Sequence, residues 1–291
     1  MDRVAVIGST GQLGHDLVEV LRAASRFEVV ALDHLQIECT EPDSVRAVLL
    51  PLKARVIINC VAFVRVDDCE SHAGEAFAVN ALGALHVARA AAESGAKCIY
   101  LSTDYVFDGA KDSSYVESDA TAPINIYGVS KLAGEHLVRQ AAPDWLIVRV
   151  ASLFGKIGAR GKGGNFIETI LAKARKGEPL KVVDDIVISP TYARDASQAI
   201  AQLIGADATG IVHAANSGAC TWYEFAKTAL ELCQLSAPIA AVPSSQFHTP
   251  ARRPKNSALA SGRLLPEFRI TMPHWRDALR AYLSEKGHLP A

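Results

Sequence analysis

Three side chains stand at spacings that suit proton transfer. Tyr127 and Lys131 lie four residues apart in a stretch, residues 126–140, that patterns as a helix, so both project from one face. A phenol titrates near about 10 when nothing perturbs it. An ammonium beside it favours the phenolate and brings the group closer to a usable acid or base range. A third group, Ser102 or Thr103, follows directly on the apolar run 97–101. Open α/β sheets collect their ligands at the carboxyl ends of strands, where a hydroxyl can meet a reacting oxygen. A tyrosine four residues before a lysine is common by chance, and it gains meaning only from what precedes it.

What precedes it is a phosphate cradle. Residues 8–14 read GSTGQLG, directly after a short apolar run and at the start of an amphipathic stretch. Gly8, Gly11 and Gly14 permit a tight turn and bring backbone N–H groups close to a pyrophosphate, whose charge the helix N-terminus favours. Asp33 ends the second apolar run, where a carboxylate accepts hydrogen bonds from adenosine ribose hydroxyls and repels a 2′-phosphate. No Lys or Arg occurs between Arg26 and Arg46, which favours NADH over NADPH. With a dinucleotide site upstream, Lys131 acquires a second role, holding the nicotinamide ribose.

The elements that must position these groups follow a strand–helix rhythm. Near-continuous Val/Ile/Leu runs at 3–8, 28–33, 55–59, 97–102 and 146–150 read as parallel strands covered on both faces. Helical patterns fill the gaps at 13–24, 43–50, 73–94 and 126–140; Gly95 closes the third and Pro143 follows the fourth. The fold class is α/β, a Rossmann-like doubly wound parallel sheet with a smaller interleaved C-terminal substrate lobe. Residues 1–150 form the dinucleotide-binding domain, with sheet elements returning from about 181–216; residues 151–180 and 217–291 form the lobe. The glycine-rich basic run 155–164 reads as a solvated connector or as a lid over a charged ligand. A helix near 274–283 closes the chain after the proline-rich stretch 243–254.

Composition narrows the classes. The 291 residues carry a net charge of −1, so nothing electrostatic argues for nucleic acid or a membrane surface. No apolar run approaches the roughly 20 residues that span a bilayer, and no signal peptide pattern opens the chain. Six scattered cysteines without a C-x-x-C pair read as reduced, which places the protein in the cytoplasm. Asp67, Asp68 and Glu70, beside Cys69 and His72, read as a solvated helix start rather than a metal cluster. His213 and His274 read as structural or surface residues.

A series of motifs then narrows the family: STDYVFDG at 102–109, PINIYGVSKLAGE at 123–135, GNFIETIL at 164–171, SPTYARD at 189–195, WYEFA at 222–226 and TPARRPKNSAL at 249–259. The series resembles the dTDP-4-dehydrorhamnose reductase family of extended short-chain dehydrogenases/reductases over nearly the whole chain. The resemblance implies hydride transfer from NADH or NADPH to C4 of a nucleoside-diphosphate 4-keto-6-deoxy sugar, most directly dTDP-4-dehydro-L-rhamnose. It implies that Tyr127 donates the proton, Lys131 lowers the tyrosine pKa and grips the cofactor, and Thr103 hydrogen-bonds the carbonyl oxygen. Asp104 and Tyr105 would contact the sugar, and Arg252 and Arg253 the diphosphate, to which guanidinium binds in a bidentate way. Cofactor contacts would come from Gly8, Gly11, Gln12, Leu13, Gly14, Asp33, Glu38, Cys39, Ala62, Phe63, Val64, Leu101, Tyr127 and Lys131.

Three departures qualify the resemblance. The family commonly has R-T-S-W after the fifth strand, with the tryptophan packed on the sugar, where this chain has Arg149-Val150-Ala151-Ser152. The family's D-D-Q-x-G-x-P-T corresponds to residues 184–191, which lack the glutamine and the glycine. Some members dimerise through magnesium held by acidic side chains; Asp16 matches one such position without a convincing set around it, so no metal is expected and a homodimer stays open. Two alternatives remain at this stage: a non-catalytic cofactor-binding subunit like the regulatory one of methionine adenosyltransferase, and a sugar-nucleotide epimerase. A 4,6-dehydratase would need a second acid after Asp104, where Tyr105 stands.

Overall fold

A computed structural model describes residues 1–158 and 164–290. Residues 159–163, which include much of the run read as a connector or lid, lie outside the described residues, as does Ala291.

Five strands in the first half, β1 (Asp2–Ile7), β2 (Phe27–Leu32), β3 (Val56–Asn59), β4 (Lys97–Thr103) and β5 (Trp145–Val150), join Gly210–His213 in one six-stranded sheet. Every pairing is parallel, and the order is β2-β1-β3-β4-β5 with Gly210–His213 at the far edge. Alternate residues of β1 enter opposite cores: Val4 and Val6 pack with Leu17, Ile58 and Ile200, whereas Ala5 and Ile7 pack with Val45, Val87 and Tyr100. Both faces are therefore apolar, which explains the unbroken hydrophobic runs. The chain leaves β1 for one side and returns through β3 on the other, so the crevice between their carboxyl ends is the switch point where such sheets bind ligands.

Two expected features differ. The helix expected over 73–94 is Ala73–Phe77, a π-helical turn Ala78–Leu82 and Gly83–Ser94. The break centres on buried Asn80. Its backbone carbonyl accepts the Tyr100 hydroxyl at 2.7 Å, and its amide donates to Ser130 Oγ at 2.9 Å. Single-turn π bulges inside α-helices occur frequently at functional sites. The run 181–183 does not return to the main sheet: Leu180–Val183 pairs in parallel with Ile239–Val242. Leu180 and Val182 thereby enter a separate core with Phe154, Phe225, Trp275 and Tyr282, while the edge of β5 is already taken by Gly210–His213. All six cysteines are free thiols. Among the described residues no helix is long and apolar enough to cross a membrane.

The helix Ile126–Ala141 lies so close to its neighbours that Gly134 has no room for a side chain. A Cβ there would stand 2.4 Å from both Asn80 O and Tyr100 Oη. Gly134→Ala is expected to destabilise the fold by about 1–3 kcal/mol through overpacking, read as a lower urea midpoint. An unchanged midpoint would show that the helix can move away at no cost.

Candidate active site

The glycine turn is built for close backbone approach. Gly8 adopts φ +77°, and its N–H and that of Ser9 donate to Leu32 O at 2.9 and 3.0 Å, tying the turn to the end of β2. Gly11 N–H donates to Gly8 O at 3.0 Å. A Cβ on Gly14 would lie 2.2 Å from Gly8 O, so this glycine serves the packing of helix against turn. The helix Gln12–Ala23 starts without a side-chain cap, leaving first-turn N–H groups that suit an anion.

Gly8, Gly11, Asp33, Glu38, Cys39, Ala62 and Phe63, all expected cofactor contacts, line one cavity of about 410 Å³. The residue types fit a dinucleotide: a glycine turn and helix start for phosphate, carboxylates at the rim, apolar walls. Sequence reasoning missed Thr10, His34, Ile37, Thr40, Cys60, Val61, Val79 in the same lining; most flank the expected positions, which is the signal that could have found them. The other expected contacts are placed differently. Gln12 donates through its side chain to Leu153 O at 3.1 Å, Leu13 is buried in the core, and half-buried Val64 follows Phe63 without lining the cavity. Asp33 Oδ1 accepts from Leu35 N–H at 2.9 Å, so part of its carboxylate shapes its own turn. Burial pushes the Cys39 and Cys60 thiols up to about 12, which keeps both neutral.

Asn125 caps the helix Ile126–Ala141, which carries Tyr127 and Lys131. Its Oδ1 accepts from Gly128 N–H at 2.8 Å, a side-chain N-cap. Lys131 then reaches the end of β4, its buried Nζ donating to Leu101 O at 2.6 Å and lying 4.0 Å from the Tyr100 ring centroid. The structure also separates the two hydroxyl candidates. Ser102 donates to Glu135 at 2.5 Å, whereas Thr103 hydrogen-bonds Tyr127, donates to Asp104 Oδ1 at 2.9 Å and accepts from Tyr105 N–H at 3.2 Å. The Tyr105 ring meets Tyr127 edge-on, with centroids 5.9 Å apart.

The expected electrostatics are reversed. Burial pushes the Tyr127 phenol above its ordinary value, and the Thr103 hydrogen bond offsets only part of the rise. Lys131 is not among the groups that lower it, because the ammonium is turned to Leu101. Burial instead lowers Lys131 itself to about 7, with Glu135 opposing. The expectation that Lys131 brings the tyrosine down is therefore corrected: here the phenol holds its proton.

On the substrate side, Arg253 does not stand free. It binds Asp67 through both guanidinium nitrogens at 3.0 and 2.7 Å, and Asp67 also accepts from Ala251 N–H at 3.1 Å. Asn125 donates to Arg252 O at 2.8 Å, while the Arg252 side chain is exposed. The acidic stretch read as a solvated helix start does open a short helix, Val66–Ser71, with Asp67 and Asp68 in its first turn, and its acids also carry contacts: Asp67 anchors the C-terminal segment, Asp68 pairs with Arg65 at 3.0 Å, and Glu70 accepts from Ile126 N–H at 2.9 Å. Ser152, standing where the family commonly has tryptophan, sits at φ +40°, and its backbone carbonyl accepts from Thr191 N–H at 3.3 Å. Asp16 lies with His15 and Glu19, their ligand-type atoms within 4.8 Å of one another. His213 is fully buried, and His274 caps the last helix by accepting from Arg276 N–H at 3.3 Å.

Glycine turn, switch-point cavity and a threonine facing a tyrosine on one helix with a lysine define a protein of the extended short-chain dehydrogenase/reductase class. Comparison with known proteins carries this further. The model of the RmlD substrate binding domain family matches residues 2–287. Among curated relatives, the spore coat polysaccharide biosynthesis protein SpsK of Bacillus subtilis is 37% identical, with 99% of each chain covered. The dTDP-4-dehydrorhamnose reductase of Escherichia coli is 34% identical, with 97% of each covered. The crystal structure of dTDP-4-dehydrorhamnose reductase from Bacillus anthracis in complex with NADP superposes with a TM-score of 0.92 at 36% identity, covering 98% of this chain and 99% of that one. The chain belongs to the RmlD substrate binding domain family.

The lowered Lys131 has a consequence for stability. Below about 7 the group is protonated in both states and the cost of burying its charge is borne in full. Between there and its ordinary value of 10.5 the unfolded chain binds more protons, so native stability rises with pH. Lys131→Met is therefore expected to be more stable than the parent near neutral pH, by about 1–3 kcal/mol after loss of the Leu101 hydrogen bond. The gap should narrow toward about pH 10. Urea unfolding at both pH values checks this, and a gap independent of pH would rule it out.

Proposed function

We propose that the chain reduces the C4 ketone of a nucleoside-diphosphate 4-keto-6-deoxy sugar, most directly dTDP-4-dehydro-L-rhamnose to dTDP-L-rhamnose, with NADH or NADPH. The observation that carries the reading is the meeting of Thr103, Tyr127 and Lys131 at the carboxyl edge of β4, with Lys131 on Leu101 O, Tyr105 edge-on to Tyr127, and burial raising the phenol above its ordinary value. A phenol held in its neutral form is a proton donor, which is the role that ketone reduction requires. The names of the relatives and the NADP held by the Bacillus anthracis structure support both substrate class and cofactor.

The bound nicotinamide supplies the hydride. When substrate binds, Thr103 turns its one hydroxyl proton from Asp104 to the ketone oxygen and orients that oxygen toward Tyr127, which delivers its proton to it as charge develops. Lys131, fixed by Leu101 O, presents its amine to the cofactor ribose. Asp104 and Tyr105, just past Thr103, face the sugar. Arg252 and Arg253 meet the diphosphate, with Asp67 holding Arg253 in orientation. Six free thiols support a place in the cytoplasm. The non-catalytic and epimerase readings are not favoured: the reductase relatives align nearly end to end, and Thr103, Tyr127 and Lys131 occur together on β4 and one helix.

The test is substrate-dependent loss of nicotinamide absorbance when the purified protein meets dTDP-4-keto-6-deoxy-L-mannose and NADH or NADPH. Tyr127→Phe should lower kcat by about 10²–10⁴-fold. Arg252→Ala should raise KM for the sugar nucleotide about tenfold or more while leaving that for the cofactor near the parent value. Tight cofactor binding without turnover across several 4-keto sugar nucleotides would defeat the proposal.

A further inference from the structure

Behind the catalytic pair lies a buried charged cluster that neither the cofactor cavity nor the substrate side uses. Arg149 Nε and Nη2 donate to the two carboxylate oxygens of Glu135 at 2.9 and 2.7 Å, and each residue is only 2% exposed. Ser102 Oγ donates to the same carboxylate at 2.5 Å. His213, fully buried, places Nε2 3.5 Å from Arg149 Nη1, and its Nδ1 lies 3.2 and 3.1 Å from Tyr115 O and Ala260 O. Burial and Arg149 hold this imidazole down to about 3, so it is neutral and adds no charge. Three of these residues are neighbours in register across adjacent strands, Ser102 opposite Arg149 and Arg149 opposite His213. The fourth, Glu135, stands on the catalytic helix, four residues after Lys131 and eight after Tyr127.

We propose that Glu135, gripped by Arg149 and Ser102, is the positioning residue of this active site, locking the axial register of the helix that carries Tyr127 and Lys131 against the strand end that carries Thr103. A buried ion pair is a poor source of stability, since apolar residues of similar volume often do as well or better. What it supplies is geometry. A bidentate guanidinium–carboxylate pair tolerates little sliding or rotation. Ser102, in the same grip, is the residue immediately before Thr103, so the pair ties both halves of the proton-donating unit to one point.

The carboxylate also acts on charge. The titratable groups facing Lys131 are Tyr100 from β4, Cys60 just past β3, and Tyr127 and Glu135 on its own helix. Tyr100 and Tyr127 are pushed above their ordinary values and Cys60 up to about 12, and the ion pair with Arg149 makes Glu135 the carboxylate of this set. It opposes the desolvation that would neutralise the Lys131 ammonium.

The kinetic arm rests on the reductase reading, so the parent is assayed first; the titration of Lys131, followed by NMR of its side-chain nitrogen, needs no turnover. Glu135→Gln should lower kcat about tenfold or more with KM nearly unchanged, and move both the alkaline limb of kcat/KM and the Lys131 titration to lower pH by about one unit. Arg149→Lys keeps the charge and loses the fork: kcat should fall while the alkaline limb stays in place. Where Glu135→Gln fails to fold because Arg149 is left unpaired, Glu135→Met with Arg149→Leu removes both charges and should fold with low kcat. A folded Glu135→Gln or double variant with parental kcat overturns the proposal, as does a Glu135→Gln whose Lys131 titration is unmoved. A parent without turnover whose Lys131 titration shifts in Glu135→Gln would sink the reductase reading and leave the Glu135–Lys131 coupling standing.

Discussion

The site depends on one close approach, that of the helix Ile126–Ala141 to the carboxyl end of β4. A Cβ on Gly128 would sit 2.1 Å from Tyr105 O, so the start of the helix all but touches the backbone it serves. Only at that range can Lys131 reach Leu101 O from one side and Tyr127 meet Thr103 from the other. The neighbouring π turn belongs to the same contact, because the Tyr100 hydroxyl and Ser130 on the facing elements both bond Asn80. The helix is pinned at its start by Asn125 and further along by Glu135, and its fit between those points is set by glycines.

Such proximity decides the electrostatics. Removing water from Tyr127 and Lys131 favours the neutral form of each, which raises the phenol and lowers the amine. Sequence spacing alone suggests the opposite for the tyrosine, because it treats the lysine as a free charge next door. In the fold the amine is aimed at a carbonyl and the phenol at a hydroxyl. The result is a phenol raised above its ordinary value beside a lysine lowered to about 7, an arrangement that costs stability.

How much of this was legible follows from the range of the interactions. The parallel strands, the glycine turn and the span of the catalytic helix are written in local periodicity and in turn residues, and the structure places them within a residue or two of expectation. Ser102 and Thr103 could not be told apart locally, because alternate residues of a doubly covered strand look equally apolar around them; the facing helix separates them by offering Glu135 to one and Tyr127 to the other. Asp67 stands at the helix start that was expected, but its tie to Arg253 was out of reach because that partner is 186 residues away. The Leu180–Val183 strand was assigned to the wrong sheet for the same reason, its partner Ile239–Val242 being set by a core that no short window contains.

That difference in range separates the two halves of the site. The cavity with the glycine turn is lined mostly by residues that follow the first three strands, so it is fixed once the sheet forms. The substrate half is a segment near residue 252 tied down by Asp67 and Asn125, with Ser152 lying just beyond β5. None of those ties passes through the Ser152 side chain, so that position can change without loosening the segment. The Asn125 tie is different, because the same side chain that holds Arg252 O caps the helix carrying Tyr127 and Lys131. The segment near residue 252 and the start of that helix are therefore held by one residue, and a change at Asn125 disturbs both halves at once.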